Sequence, residues 1–451
     1  MARGVCRRWR VVVLCVVLVV AAAAPASAIV YRGWTRQVDS GDGGEYGESL
    51  CVDADGNIYL AGYTNGNLAH SGTAGYGDSY LCKFDPSGTR LWTTQSYCGS
   101  EDSGEGICID SEGCLWVAGT VDGLYAGAHK GGADAYIRRY YTSSGDPVGA
   151  EAQLGTSAHD GGRDVCADGF GNVYLTGYTG GSLGATNLGS ADAYVAQFSA
   201  GNGALGWVRQ WGSASDDSGT SVCADSAGNV YVAGYAYGSI GSGDPYNGLY
   251  DVFVCKYDND GQAWDRQFGT ERGDFAMGVV ADGMGSIFVT GYTKGDFEGT
   301  NLGDFDAFVM KINAASGTVA WKRQFGTASE DKAFDIATDG QGNVYIAGHT
   351  AGGLGNPNLG VTDVFLCKYD TLGNRVWVRQ LGTDDYDYGR CIATYGPNAY
   401  YVGGQTDGNM AGASGQSPDA FVTRYYDTVP EPGAAVLVLL GSVALLKRRR
   451  R

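Results

Sequence analysis

Acidic side chains recur along this sequence at positions where they could hold a cation. Eight residues before each copy of a repeated turn motif lies one acid, and the seven members of this set are Glu45, Asp102, Asp160, Asp217, Asp274, Asp331 and Asp387. Carboxylate oxygens suit Ca²⁺, although the sequence has no D-x-D-x-D-G loop with a closing Glu. We treat these seven acids as candidate ligand or cation sites. The alternative is structural, because short acids beside Gly bond to turn amides or link adjacent units.

The unit that carries these acids occurs seven times. The segment that runs from Asp53 to Gly62 recurs from Asp110, Asp168, Asp225, Asp282 and Asp339, and in a degenerate form from Tyr395. Each unit contains four short stretches of alternating, β-branched and aromatic residues, punctuated by Gly, Asn and Asp, which favours strands over helices. Self-similarity at a spacing of 56 to 58 residues, with four strands per unit, predicts an all-β fold, a seven-bladed β-propeller of four-stranded blades.

The two ends of the repeat array favour a closed ring over an open solenoid. Residues 34–38 have the sequence of a fourth strand, yet they precede any first strand, whereas the last unit ends after its third strand at residues 419–425. An N-terminal strand that completes the last blade would close the ring. We therefore predict one propeller domain over residues 29–427.

The N-terminal residues 1–28 have the features of a signal peptide. Arg7, Arg8 and Arg10 precede an apolar run, and Ala26 and Ala28 flank Ser27 in the small-x-small pattern of a cleavage site. The alternative is an uncleaved anchor helix, for which the apolar run is short.

The C-terminal residues 428–451 have the features of a second targeting segment. Pro430, Glu431 and Pro432 are followed by an apolar run and then by five basic residues. A basic end resists translocation and would stall an exported chain at the inner membrane. This tail resembles the PEP-CTERM sorting signal, which implies recognition and cleavage by an exosortase-type enzyme near the Pro-Glu-Pro sequence. An ordinary C-terminal anchor is the alternative.

The repeats also resemble a known family. Through their D-x-x-G-N-x-Y-V pattern, residues 30–426 look like the bacterial β-propeller repeats called SBBP repeats, with kinship to NHL-type blades. The resemblance implies a propeller fold and a cell-surface or extracellular setting. It implies no catalytic residues, because the family has no agreed site.

The charge of the chain limits its partners. With the predicted leader and tail set aside, 22 basic and 48 acidic residues remain, a net charge of −26. Such a charge argues against nucleic acid as a partner. We expect a monomeric, exported protein at the cell surface or outside the cell, transiently anchored in the inner membrane, with extracellular polysaccharide or surface proteins as partners.

The positions of the cysteines and histidines do not indicate a metal site or a catalytic site. Cys51, Cys108, Cys166 and Cys223 occupy one repeat position, and Cys82, Cys255 and Cys367 another, so we interpret them as small buried hydrophobic residues. Cys98, Cys114 and Cys391 break the pattern and could form one local disulfide, which an exported protein permits. None of the four histidines has a partner at metal-ligand or triad spacing.

Two classes of function remain. We predict a non-enzymatic binding or structural module that engages glycan or protein through an acidic, loop-rich face and requires no cofactor. Tyr63, Tyr178, Tyr235 and Tyr292 could stack there on sugars, or could pack structurally. The alternative is a secreted hydrolase or lyase that acts on polysaccharide with a carboxylate pair at the channel mouth. Its candidates are acids outside the common pattern, namely Asp244, Glu271, Asp296 and Glu298.

Overall fold

The structure, a computed structural model, describes residues 29–69, 77–96, 101–124, 129–240, 246–258, 261–411 and 418–428. Within these ranges 28 strands form seven four-stranded antiparallel sheets. No helical segment in this described part reaches the length and hydrophobicity that a membrane crossing requires. The predicted leader, with Ala26 and Ala28, and the Pro430 to Pro432 motif lie outside the described residues.

The strands follow the repeats. In chain order they are β1 (Ile29–Val38); blade 1, β2 (Glu45–Val52), β3 (Ile58–Thr64), β4 (Asp78–Phe84) and β5 (Arg90–Gln95); blade 2, β6 (Asp102–Ile109), β7 (Cys114–Val121), β8 (Asp134–Tyr141) and β9 (Pro147–Leu154); blade 3, β10 (Asp160–Ala167), β11 (Asn172–Thr179), β12 (Asp192–Ser199) and β13 (Leu205–Trp211); blade 4, β14 (Asp217–Ala224), β15 (Val230–Ala236), β16 (Asp251–Asp258) and β17 (Gly261–Phe268); blade 5, β18 (Asp274–Ala281), β19 (Ser286–Thr293), β20 (Asp306–Asn313) and β21 (Val319–Phe325); blade 6, β22 (Asp331–Thr338), β23 (Val344–Thr350), β24 (Asp363–Tyr369) and β25 (Arg375–Leu381); and blade 7, β26 (Asp387–Tyr395), β27 (Ala399–Thr406) and β28 (Asp419–Thr428).

The predicted ring closure is confirmed. Strand β1 completes the sheet of blade 7 by pairing antiparallel with β28, from Val38 opposite Ala420 to Ile29 opposite Thr428. It begins at Ile29, five residues earlier than the Trp34 start expected from the repeat pattern. The Trp34 side chain extends the closure to blade 1, because its indole N–H donates to the carbonyl of Pro86 at 3.1 Å.

The core lies between blades. Around the closure, Val38, Leu50, Ile58, Tyr80 and Val422 form one buried cluster with contributions from blades 7 and 1. The first strands β2 and β26 contact each other there, as β2 contacts β6 and β10 contacts β14 elsewhere. Because each blade buries its faces against its neighbours, opening one junction exposes apolar surface on both sides.

Every first strand contains a bulge at the same place. The register with the second strand shifts between the third and fifth residues, as between Gly47 and Ser49 in blade 1, and leaves the fourth residue unpaired. The second strand carries a glycine opposite each bulge, because a Cβ there would lie 1.7–2.0 Å from a first-strand carbonyl oxygen. These glycines are Gly62, Gly119, Gly177, Gly234, Gly291, Gly348 and Gly404. A bulge of this kind re-aims the side chain of the extra residue.

The cysteines are only partly as expected. Cys82, Cys255 and Cys367 are buried in third strands, and burial raises the pKa of the Cys82 thiol to about 11. The four first-strand cysteines are half-buried rather than buried. All nine cysteines in the described ranges are free, so Cys114 and Cys391 form no disulfide, while Cys98 lies outside those ranges.

Candidate functional site at the channel mouth

The seven residues displaced by the bulges line a single cavity of about 460 Å³. They are Glu48, Glu105, Arg163, Thr220, Met277, Phe334 and Arg390. Because each blade contributes one of them, the cavity lies on the axis of the ring, and we call it the axial cavity. Tyr63, Tyr235 and Tyr292 from the second strands and Phe275 from β18 also line it, together with four residues that follow the bulges, Ser49, Asp164, Ser221 and Asp335.

The wall of the axial cavity is unequal around the ring. Blades 7, 1, 2 and 3 contribute Arg390, Glu48, Glu105 and Arg163 in that order, whereas blades 4 to 6 contribute Thr220, Met277 and Phe334. Arg163 pairs with Glu105 at 3.4 Å and lies over the Tyr178 ring at 5.3 Å. At the bulge positions, one half of the wall is therefore charged and the other half is uncharged, with an apolar and an aromatic side chain, an arrangement typical of ligand sites.

Arg390 is held by stacking on aromatic rings. Its guanidinium lies 4.6 Å from the Phe334 ring centroid and 5.7 Å from that of Tyr388. Its Nε is buried and has no hydrogen-bond partner in the described part of the chain. A buried N–H group without a partner is costly, so Arg390 presents a donor that a ligand could satisfy.

Glu48 faces two arginines and a second acid. Burial raises the pKa of the Glu48 carboxyl above its usual value, the charges of Arg390 and Arg163 lower it in part, and that of Glu105 raises it further. Glu48 and Glu105 therefore form an acidic pair on the charged half of the wall, without acidic counterparts at the bulge positions of the other blades.

Two further acids follow the bulges of blades 3 and 6. Asp164 accepts the Val222 backbone N–H at 2.8 Å, and Asp335 accepts the Ile392 N–H at 2.7 Å, so each ties its blade to the next. Burial raises the pKa of Asp164 to about 6 and that of Asp335 to about 7. Sequence comparison of the repeats missed Glu48, Glu105, Asp164 and Asp335, because it selected acids that recur.

Asp335 is expected to make stability depend on pH. Its folded pKa of about 7 lies above the ordinary 3.8, so between those values the folded chain holds a proton that the unfolded chain has released, and stability falls as pH rises. We expect the free energy of unfolding of the wild type, relative to Asp335→Asn, to fall by about 2 kcal/mol between about pH 5 and pH 8. Urea unfolding at both pH values measures this.

The control for that experiment is Asp384→Asn, which removes an exposed acid from the same ring. Its difference from the wild type should stay constant across the pH range. A constant difference for Asp335→Asn as well would contradict the assignment.

The seven acids predicted as cation candidates are all buried at the starts of the first strands. Asp331 illustrates their contacts: the backbone N–H and the hydroxyl of Thr327 donate to it at 2.6 and 2.8 Å. Asp387 accepts the same pair from Thr383 and a further hydroxyl from Thr406. Asp331 and Asp387 therefore organise the turns that precede their strands, and the binding of a cation by any of the seven acids stays a prediction.

The acids proposed for an enzyme do not meet in the axial cavity. Glu271 and Asp296 line a separate surface cavity of about 660 Å³, which also contains Lys294 and Asp304, paired with each other at 2.7 Å. Glu298 does not line that cavity, and Asp244 lies outside the described residues. The acids outside the common pattern that line the axial cavity are Glu48, Glu105, Asp164 and Asp335 instead.

The fold and the axial cavity define the class of protein, a seven-bladed β-propeller with an asymmetric channel mouth. The SBBP family model, described as a beta-propeller repeat, matches residues 33–69, 151–184, 206–241, 263–298 and 320–355.

Three known proteins are similar to this chain in sequence or in fold. It is 24% identical over 319 residues to the regulatory protein FlaEY of Caulobacter vibrioides, covering 62% of this chain and 33% of that protein. It is 23% identical over 235 residues to an uncharacterized WD repeat-containing protein of Acanthamoeba polyphaga mimivirus, covering 40% and 17%. The chain thus spans about a third or less of the length of these curated relatives. The WD40 domain of Neurospora crassa Pan2 aligns with a TM-score of 0.49 at 9% identity, over 89% of this chain and 96% of that one.

Proposed function

We propose that the protein is an exported binding module of the cell surface or extracellular matrix, and that its axial cavity binds the end of a glycan that carries a carboxylate. The observation that carries this proposal is Arg390, stacked on Phe334 with an unpartnered buried N–H in a cavity of suitable size. Guanidinium groups recognise carboxylates through paired hydrogen bonds.

The rest of the wall fits a sugar. Phe334, Phe275 and Tyr292 offer aromatic faces, on which the apolar face of a sugar ring can pack, and Glu48 and Glu105 offer acceptors for hydroxyl groups. A cavity of about 460 Å³ lies within the usual range for small-ligand sites and admits a chain end rather than a whole polymer.

The large negative net charge of the protein favours a ligand that carries little charge of its own. A net charge of −26 outside the predicted leader and tail repels long polyanions. A single terminal carboxylate beside Arg390 gains a local charged contact and limits that repulsion. We therefore favour an acidic sugar at the end of an otherwise neutral glycan.

Calorimetric titration with two oligosaccharides, one ending in a uronic acid and one in its neutral counterpart, tests the proposal. We expect Arg390→Met to weaken binding of the acidic end by about tenfold to a hundredfold, because a hydrogen bond to a charged group is lost, and to change neutral binding little. Arg209→Met is the matched control, since Arg209 also stacks on an aromatic ring, Trp207, but is exposed and does not line the axial cavity. Equal binding by wild type and Arg390→Met would contradict the proposal.

A polysaccharide hydrolase or lyase is the second candidate function, favoured by the Glu48 and Glu105 pair. An acid with a raised pKa beside a second carboxylate can act as a general acid. Mass spectrometry of the same mixtures detects cleavage directly. Product formation by the wild type but not by Glu48→Gln would favour the enzyme.

Export and sorting are proposals that rest on the terminal sequences. An exosortase-type enzyme is the proposed partner for residues 428–451, and a secretion signal peptidase for residues 1–28. The intact mass of the protein isolated from its native cell surface tests both cleavages.

A further inference from the structure

Three junctions between blades, those marked by Gly212, Gly326 and Gly382, bring two carboxylates together. One belongs to the Asp that opens a third strand, and the other to the acid that opens the first strand of the next blade. At the junction of blades 3 and 4, a Cβ built on Gly212 would lie 2.5 Å from Oδ1 of Asp192 and 2.8 Å from Oδ2 of Asp217. The two acids therefore face the same small space beside Gly212.

Five junctions keep this space open with a glycine after the fourth strand. The glycines are Gly155, Gly212, Gly269, Gly326 and Gly382, and a Cβ on any of them would lie 1.8–2.5 Å from Oδ1 of the third-strand Asp. At these five junctions Oδ1 of the third-strand Asp points at the residue that follows the fourth strand.

Two junctions lack this glycine: the one between blades 1 and 2, where Tyr97 takes its position in the sequence, and the one where the ring closes. Asp39 follows β1 at the position of the glycine, and Glu45 is the one first-strand acid that is longer than Asp. One oxygen each from Asp39, Glu45 and Asp419 lies within 4.8 Å of the others, with Glu45 and Asp419 buried and Asp39 partly exposed. We call this group the seam acids.

A buried oxygen at the seam lacks a partner. Asp419 is 1% exposed, and its Oδ2 accepts the Gln37 side-chain N–H at 2.9 Å. Its Oδ1, like that of the third-strand Asp in each of the other six blades, is buried and has no hydrogen-bond partner among the described residues. Since the third-strand Asp at the five glycine junctions directs Oδ1 at the position after the fourth strand, we place this oxygen facing Asp39.

The other seam acids are held in position. Glu45 accepts hydrogen bonds from the backbone N–H and the hydroxyl of Ser40, at 3.1 and 2.7 Å, and from the hydroxyl of Thr64 at 2.7 Å. Asp39 accepts the backbone N–H of Gly41 at 2.6 Å. None of the three carboxylates forms an ion pair with a basic side chain within the part of the chain that is described. Three like charges so close repel one another strongly unless a proton or a cation offsets them.

We propose that Asp39, Glu45 and Asp419 bind one divalent cation of the Ca²⁺ type, which ties the N-terminal strand to blades 1 and 7. The ligands are all carboxylate oxygens, which hard cations prefer over the nitrogen and sulfur ligands that zinc and copper select. The exposed side at Asp39 admits the waters that a coordination number of about 6 to 8 requires. The site therefore reinforces ring closure without a disulfide.

Calcium titration of the full-length protein, freed of metal by chelation, tests this assignment by calorimetry and by thermal unfolding. We expect one Ca²⁺ per chain and a Tm that rises on adding Ca²⁺ and falls again on chelation. Asp39→Gly, which restores the glycine of the other junctions, should weaken binding by about tenfold or more and remove the shift in Tm. Asp419→Asn should do the same.

The matched control is Asp363→Asn, which changes the equivalent third-strand acid at a junction that keeps its glycine, Gly382. It should retain the Ca²⁺ stoichiometry and the calcium-dependent shift in Tm. Absence of Ca²⁺ binding to the wild type, or binding of several ions that Asp39→Gly leaves unchanged, would overturn the proposal. Asp39 is partly exposed at the end of its strand, so Asp39→Gly is expected to fold and to keep the test decisive.

Discussion

Deletion of residues 29–38 is expected to abolish cooperative folding of the ring, at a cost of about 5 kcal/mol or more in the free energy of unfolding. The deletion removes β1 from the sheet of blade 7 and exposes the edge of β28. It also removes the buried Val38 side chain and the hydrogen bond from Trp34 to Pro86. Circular dichroism on heating measures the loss, and size-exclusion chromatography detects the edge-to-edge association that a free strand invites.

A peptide of residues 29–38 added in trans should restore part of the transition, because a strand that binds only the folded ring stabilises it by mass action. Tyr31→Ser is the matched control on the same strand. Its side chain is 44% exposed, so its effect should stay within about 1 kcal/mol. A deleted protein that unfolds like the wild type would show that β1 does not close the ring.

Substitution of a single bulge-facing glycine should be nearly as damaging. A Cβ on Gly291 would lie 1.9 Å from the carbonyl oxygen of Phe275, so Gly291→Ala must push β18 and β19 apart or remove the bulge. We expect a loss of at least about 3 kcal/mol in the free energy of unfolding, which is high for overpacking because the obstacle is backbone rather than a flexible side chain. Urea unfolding measures it.

Gly201→Ala is the control for that substitution. The nearest atom to a Cβ there is Oγ of Ser199 at 4.0 Å, and the residue lies in an exposed turn. Its effect should stay within about 0.5 kcal/mol. Equal losses for the two variants would mean that the bulge tolerates a side chain and does not depend on glycine.

Much of the architecture was predictable because the repeat is regular. The third strands begin at an Asp that recurs with the repeat, such as Asp134 and Asp251. The turn motif behaves as its residues indicate, since Asp53 accepts hydrogen bonds from the backbone and side chain of Asn57. These contacts are local in sequence and recur in similar surroundings, so pattern and propensity are enough to identify them.

The candidate site was less predictable. Comparison of the repeats selects what is common to the blades, whereas the axial cavity is lined by residues that differ between them, such as Glu48, Met277 and Arg390. Tyr63, Tyr235 and Tyr292 were recognised in the sequence as residues that could contact a sugar, and they lie in the cavity wall. Their binding of glycan stays a prediction.

The sequence by itself determined the number of blades, the strand order and the closure by an N-terminal strand. These features depend on repeat spacing and on the spare strand at one end, which are properties of the linear chain. Only the tertiary structure decided which side chains face the axis and which acids meet at the seam. A bulge of one residue re-aims Glu48 and Arg390, and ring closure brings Asp39 to Asp419 across 380 residues of chain. Both outcomes follow from pairing register and long-range contact, to which the local pattern of residues is insensitive.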